Sequence, residues 1–148
     1  MANTGGADDT AFQYRGNRLG MPEEGTGSVP GFGRRLAAIM LDWLLCLALA
    51  HLFTGSALGD PAAANAVSGP ALAIFAGYNV VLLSLIGTTV GKRLAGVGVA
   101  ATGERAMPWP VAMLVRTLLL CLVVPAVVYD RDQRGLHDRF AGTITRRF

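Results

Sequence analysis

Two apolar runs, Leu36 to Thr54 and Pro70 to about Gly87, decide what this chain can fold into. Each comes close to the ~20 residues that cross the hydrocarbon core of a bilayer as a helix. Arg34 and Arg35 precede the first run, and Lys92 and Arg93 follow the second. Cations at those ends suit the membrane surface. The chain therefore reads as an all-α integral membrane protein with two firm transmembrane helices.

Composition agrees. Hydrophobic residues make up 52% of the 148 residues and charged residues only 16%. A soluble domain carries about a quarter charged residues, so the deficit points to lipid as the solvent. The length fits one domain. The net charge is +3, and the basic residues sit between the apolar blocks. That pattern implies contact with anionic lipids and not with nucleic acid. Cys46 and Cys121 each lie inside an apolar run and read as small buried hydrophobes. Their spacing supports no zinc, redox or haem site, so no cofactor and no metal is expected.

Residues 1–30 are polar and rich in Gly, Asp, Glu and Thr, and read as a disordered tail. They contain no apolar core of the kind a signal peptide needs. Insertion is then directed by the first apolar helix. The membrane domain covers 31–148.

A third apolar run, 111–129, follows the helix-breaking Pro108-Trp109-Pro110 and contains Arg116 and Pro125. Basic residues in short loops mark the cytoplasmic side. Arg34 and Arg35 place the N-terminus in the cytoplasm, in a multi-pass plasma-membrane protein. The loop 55–69 has no Lys or Arg and lies outside, and Lys92, Arg93 and Arg105 bring the next loop inside. If the third run crosses, Arg131, Arg134, Arg139, Arg146 and Arg147 all fall on the wrong side. The run is therefore interfacial or re-entrant, or else transmembrane against the rule. In the first case the segments 94–100 and 141–145 share a side and can pair as strands.

Some charges lie where lipid makes them expensive. Asp42 sits about two turns into the first run, and such a residue is a functional candidate that needs a partner. Arg35 lies seven positions earlier, on the same helix face and roughly 10 Å away along the axis. Asp42 is then a packing device paired with a cation, an ion or proton site, or a protonated carboxylate. Tyr78 and Asn79 are the polar groups of the second run, and Asn in a membrane helix is more often glue than site. His51 reads as an interface residue on the outer side. Gly87-Thr-Thr-Val-Gly-Lys92-Arg93 is not a P-loop. It is one residue short, has Arg93 in place of Ser or Thr, and follows a membrane helix. His137 and Asp138 are adjacent, but no nucleophile and oxyanion donor accompany them, so no enzyme is expected.

Three blocks together resemble the RDD family of membrane proteins. They are Gly33-Arg34-Arg35 with Asp42, the segment Gly87 to Gly96, and Leu136-His137-Asp138-Arg139-Phe140-Ala141-Gly142-Thr143. The resemblance covers about residues 31–146, and the polar tail resembles that of small actinobacterial members. It implies that Arg35 is the family arginine, with Arg34 competing for that role, and that Asp42 and Asp138 are its two aspartates. It also implies transport of small ligands, with sodium/proton antiport described for some members. The short third run departs from longer members, so a transporter of this size would need a homo-oligomer or a partner membrane protein. Two functions follow. In the first, an oligomer moves cations or protons, with Asp42 binding, Arg35 tuning it and Asp138 gating. In the second, a non-enzymatic accessory or scaffold protein uses Arg35, Asp42 and Asp138 as a folding latch. Lys92, Arg116 and His137 are secondary members of the charge set.

Overall fold

The structure is a computed structural model, and it describes residues 13–103, 107–122 and 135–148. Two long helices dominate it: α1, Phe32–Thr54, and α2, Ala64–Ile86. Each has 23 residues and is about 35 Å long at 1.5 Å per residue, enough for a ~30 Å hydrocarbon core. The buried positions of α1 are Arg35, Ala38, Asp42, Cys46 and Ala50, and those of α2 are Val67, Ala71, Phe75, Asn79 and Leu83. Steps of three and four residues make one stripe per helix. Small residues in those stripes let the helices approach closely, the usual means of association in lipid. Trp43 packs edge-on to Phe75 with ring centroids 5.5 Å apart.

The rest of each helix points outward. Leu44, Leu52 and Phe53 of α1 and Val81, Leu85 and Ile86 of α2 are exposed. Only 22% of each apolar span is buried inside the protein, whereas the core helix of a soluble domain is mostly buried. An apolar exterior around a polar interior is what lipid selects.

Both helices begin earlier than the apolar runs imply. The Arg34–Arg35 pair lies inside the first turn of α1, whose preceding residue is Gly31. Pro70 does not open α2 but sits within it. The start is a single 3-10 turn, Pro61–Ala63, capped by Asp60, whose Oδ1 accepts from Ala62 N at 2.9 Å. Pro70 then forgoes only the bond to the carbonyl four residues back. Gly87 ends α2 in the left-handed region (φ 72°), and its N–H donates to Leu83 O.

A short helix, α3 (Val90–Leu94), leads to strand β1 (Val97–Ala101). Helix α4 (Trp109–Cys121) is the third apolar segment. Its 13 residues are about 20 Å long. A second short helix, α5 (Leu136–Phe140), leads to strand β2 (Thr143–Arg147). The strands pair antiparallel, with Val97 opposite Arg147, Val99 opposite Thr145 and Ala101 opposite Thr143. The expected pairing of 94–100 with 141–145 is thus present, shifted by a few residues. Ser28 and Gly27 cover the other edge of β2, through Arg147 N to Ser28 O and Gly27 N to Arg147 O, both 2.9 Å. Residues 13–30 carry turns, and Ser28, Val29 and Pro30 are buried. The disordered tail expected over 1–30 is thereby corrected for this part, because the strand edge offers its backbone partners. Residues 1–12, the third run beyond Leu122 with Pro125, and Arg105, Arg131 and Arg134 lie outside the described residues.

One end of the helix pair gathers everything else. Arg34 Nη1 ties the start of α1 to Ala95 O at 3.2 Å. Trp109 Nε1 ties the start of α4 to Leu83 O and Ser84 O at the end of α2, each at 3.1 Å. From there α4 reaches inward, and its Leu120 packs with Phe75 and Cys46 near the helix midpoints. By β2 the chain is back where it left. The segment between Trp109 and Gly135 begins and ends at the same end of the pair.

Candidate functional site

Asp42 is fully buried, and an inserted loop meets it. Thr89 precedes α3 as its N-cap, and its Oγ1 donates to Asp42 Oδ2 at 2.5 Å. Asp42 Oδ1 accepts from Gly91 N at 2.8 Å and from Tyr78 Oη at 2.9 Å. Tyr78 Oη in turn accepts from Val90 N at 2.8 Å. Lys92 Nζ lies 3.6 Å from Asp42 Oδ2, within reach of Asn79 Oδ1 (3.4 Å) and Thr89 Oγ1 (3.3 Å). The segment from Gly87 to Arg93 therefore cradles an anion after all, a carboxylate of its own chain. It works by backbone N–H, capping hydroxyl and ammonium, as an anion-binding turn does. Gly91 is obligatory here. A Cβ at that position would overlap Ala38 O and stand 2.9 Å from Asp42 N.

Asp138 is also fully buried, at the second seam. Arg116 Nε donates to its Oδ1 at 2.6 Å, and His137 Nε2 lies 3.7 Å from its Oδ2. The two-residue period of β2 turns Thr143 and Thr145 to the same face, where their hydroxyls reach Asp138 Oδ1 (3.1 Å) and Oδ2 (3.3 Å). Burial opposes ionisation of Asp138. The charges of Arg116, His137 and Arg35 outweigh it and hold the carboxyl well below the usual carboxylate range. For Lys92, burial is the leading cause and Arg116 adds to it. Asp42 and Asp138 pull the other way, and the ammonium settles at about 8.

The expected charge set is thus brought together, with its pairing redistributed. Asp42 is met by Lys92, and Arg35 shares a small cavity with Asp138. Arg35 and Asp42 do share a face of α1, but α3 inserts beside the aspartate. Arg116 and His137 both flank Asp138, whereas Arg34 is exposed and only joins α1 to Ala95. The cavity, of about 20 Å³, is lined by Arg35, Lys92, Arg116, His137 and Asp138 with the apolar Ala38, Ile39 and Val97 and the hydroxyl of Thr145. Sequence reasoning missed Thr89, Gly91, Thr143 and Thr145. A signal for the first two existed in Thr-Val-Gly-Lys, a capping residue ahead of a helical turn. Among the described residues no cluster of His, Cys, Asp and Glu could hold a metal.

Two helices long and apolar enough to cross a membrane, closed at one end by buried Arg, Lys and Asp, define a membrane protein with an internal charge network. The family model described as RDD family matches residues 29–142, and the chain belongs to that family. Comparisons with curated proteins and with solved structures give no match.

Proposed function

We propose that this RDD protein is a non-enzymatic membrane scaffold in which the family arginine and aspartates latch the C-terminal segment onto the helix pair. The carrying observation is that protein groups engage both carboxylates. Asp42 has three hydrogen bonds and the Lys92 ammonium. Asp138 has Arg116, two threonine hydroxyls and His137. An ammonium and a guanidinium stand where a transported cation would bind. In this reading the protein acts in the plasma membrane through its lipid-facing surfaces or a second membrane protein, with both described ends of the chain cytoplasmic.

One observation favours the second reading, cation/proton transport by an oligomer. Lys92 settles at about 8, so the group facing Asp42 can release a proton near neutral pH.

The deciding experiment is a double-mutant cycle on Arg116→Met and Asp138→Leu, read by thermal unfolding in detergent. Removing one partner of a buried ion pair costs about 3–5 kcal/mol, while removing both is often near neutral. A latch predicts that the double variant is more stable than either single one, with cation-driven proton flux in proteoliposomes at the level of empty vesicles. Additive losses, or flux abolished by Asp42→Asn in a folded protein, would sink the latch.

A further inference from the structure

The end of the helix pair that carries the sheet also carries an exposed basic edge. Arg34 and Arg93 are both exposed there. Arg34 Nη1 donates to Ala95 O at 3.2 Å, which sets the guanidinium beside the end of α3, two residues beyond Arg93. A guanidinium has five N–H donors, so this bond leaves most of them for another acceptor. Helix α3 turns Gly91 and Lys92 inward and leaves Val90, Arg93 and Leu94 exposed. On α1, Leu41 and Leu45 stand seven and eleven residues after Arg34 and are exposed as well. Those spacings are close to two and three helical turns, so all three share one face. The surface beneath the guanidinium is thus apolar for roughly 16 Å along the axis. The cations of this edge are not cancelled from within. Asp42 is met by Lys92 and Asp138 by Arg116, and among the described residues no carboxylate pairs with Arg34 or Arg93. The exposed acids nearest to Arg34 in the chain, Glu23 and Glu24, line a separate groove with Tyr14 and Arg15.

We propose that Arg34 and Arg93 form a headgroup site for one anionic phospholipid, whose acyl chains run along Leu41 and Leu45 of α1. Position selects a lipid. Arg34 stands in the first turn of an apolar span, at the depth where a bilayer carries its phosphates. A free phosphate or an acidic peptide would make no use of the apolar surface below. Chemistry selects the phosphate, because a guanidinium matches its oxygens with two parallel N–H donors. Charge selects an anionic headgroup, since two fixed cations gain more from a net negative lipid than from a zwitterion. The bond to Ala95 O already restrains Arg34, so less side-chain freedom is lost on binding. The site goes beyond the latch. It uses neither Asp42 nor Asp138, and it stands whether the protein is a scaffold or a transporter.

The test uses the full chain purified in a neutral detergent at fixed ionic strength. Binding of pyrene-acyl phosphatidylglycerol is read by energy transfer from the two tryptophans. The expected result is one saturable lipid per chain. The phosphatidylcholine analogue should bind at least tenfold more weakly, and inorganic phosphate should not displace the lipid. Three variants locate the site. Arg93→Gln and Arg34→Gln should each weaken binding about fivefold, the usual worth of one cation at an anionic surface. Arg15→Gln, an exposed arginine of the N-terminal loop, should leave binding unchanged. Arg34→Gln also loses the bond to Ala95, so Arg93→Gln is the deciding variant. Undiminished binding by a folded Arg93→Gln protein, an equal loss in Arg15→Gln, or equal affinity for the choline lipid would overturn the proposal and leave this edge to diffuse attraction. Displacement by inorganic phosphate would overturn it too, in favour of a soluble ligand.

Discussion

Gly91 occupies the tightest place among the described glycines, and its hydrogen atom is what allows α3 to lie on α1. Ala38 O and Asp42 N would both stand closer than 3.0 Å to a methyl group at this position. Neither can yield, because both are helix backbone. Gly91→Ala must push α3 away and lengthen the bonds that Thr89 and Gly91 N make to Asp42. Overpacking of this kind costs about 1–3 kcal/mol, and a loosened carboxylate adds to it. The expected outcome is a lowered unfolding midpoint in detergent, whereas Gly77→Ala, which meets nothing within 4 Å and sits in ordinary helical backbone, should cost far less. Lys92 supplies a second prediction at this scale. Its folded value of about 8 lies below the ordinary 10.5, so between those values the unfolded chain binds more protons than the folded one. Stability therefore rises as pH climbs from about 8 towards 10.5, and that gain is gone once pH falls below 8. Asp138 acts in the acid range, where its contribution is present above the ordinary carboxylate value and lost below it. Unfolding midpoints between pH 7 and 10.5 should show the alkaline rise, and Lys92→Met should flatten it.

At the scale of elements, what the sequence discloses depends on whether a feature is local. The two spans are legible because lipid demands a length of apolar chain whatever it packs against. Asp42 and Arg116 stand out for the converse reason, since charge in an apolar run is costly anywhere. Pro70 misleads as a start signal because a helix already running from Ala64 loses only one bond to it. The true start depends on Asp60 and Pro61, in a loop of weakly polar residues that offers little contrast. Thr89, Thr143 and Thr145 look like ordinary loop and strand residues. Their hydroxyls matter only because α1 and α5 bring a carboxylate to them. The pairing of Asp42 with Lys92 is likewise invisible in the sequence, for it is made by an insertion between α2 and β1 and not by helix periodicity.

For the whole molecule, the sheet carries the most consequence. β1 begins three residues after α3, which sits on Asp42 at the same end as Arg34 and Arg35. β2 pairs with β1 along five residues, so the C-terminus is fixed to that end. Helix α4 leaves from there and reaches the level of Phe75. A third segment that turned back would also resolve the charge conflict. Arg139, Arg146 and Arg147 would then share the side of Arg34 and Lys92, as the rule for basic loops requires. The expected outcome is a C-terminus on the side of the N-terminus. It is measured in intact cells with Cys46 and Cys121 replaced and a single cysteine at Phe148→Cys. A membrane-impermeant thiol reagent should label that cysteine only after the cells are opened, while Ala57→Cys in the loop between α1 and α2 should react at once. Labelling of Phe148→Cys in intact cells with Ala57→Cys protected would invert the whole protein yet keep the re-entrant segment. Labelling of both would separate β2 from the cytoplasmic end that the basic residues of β1's flanks define, and with it the latch.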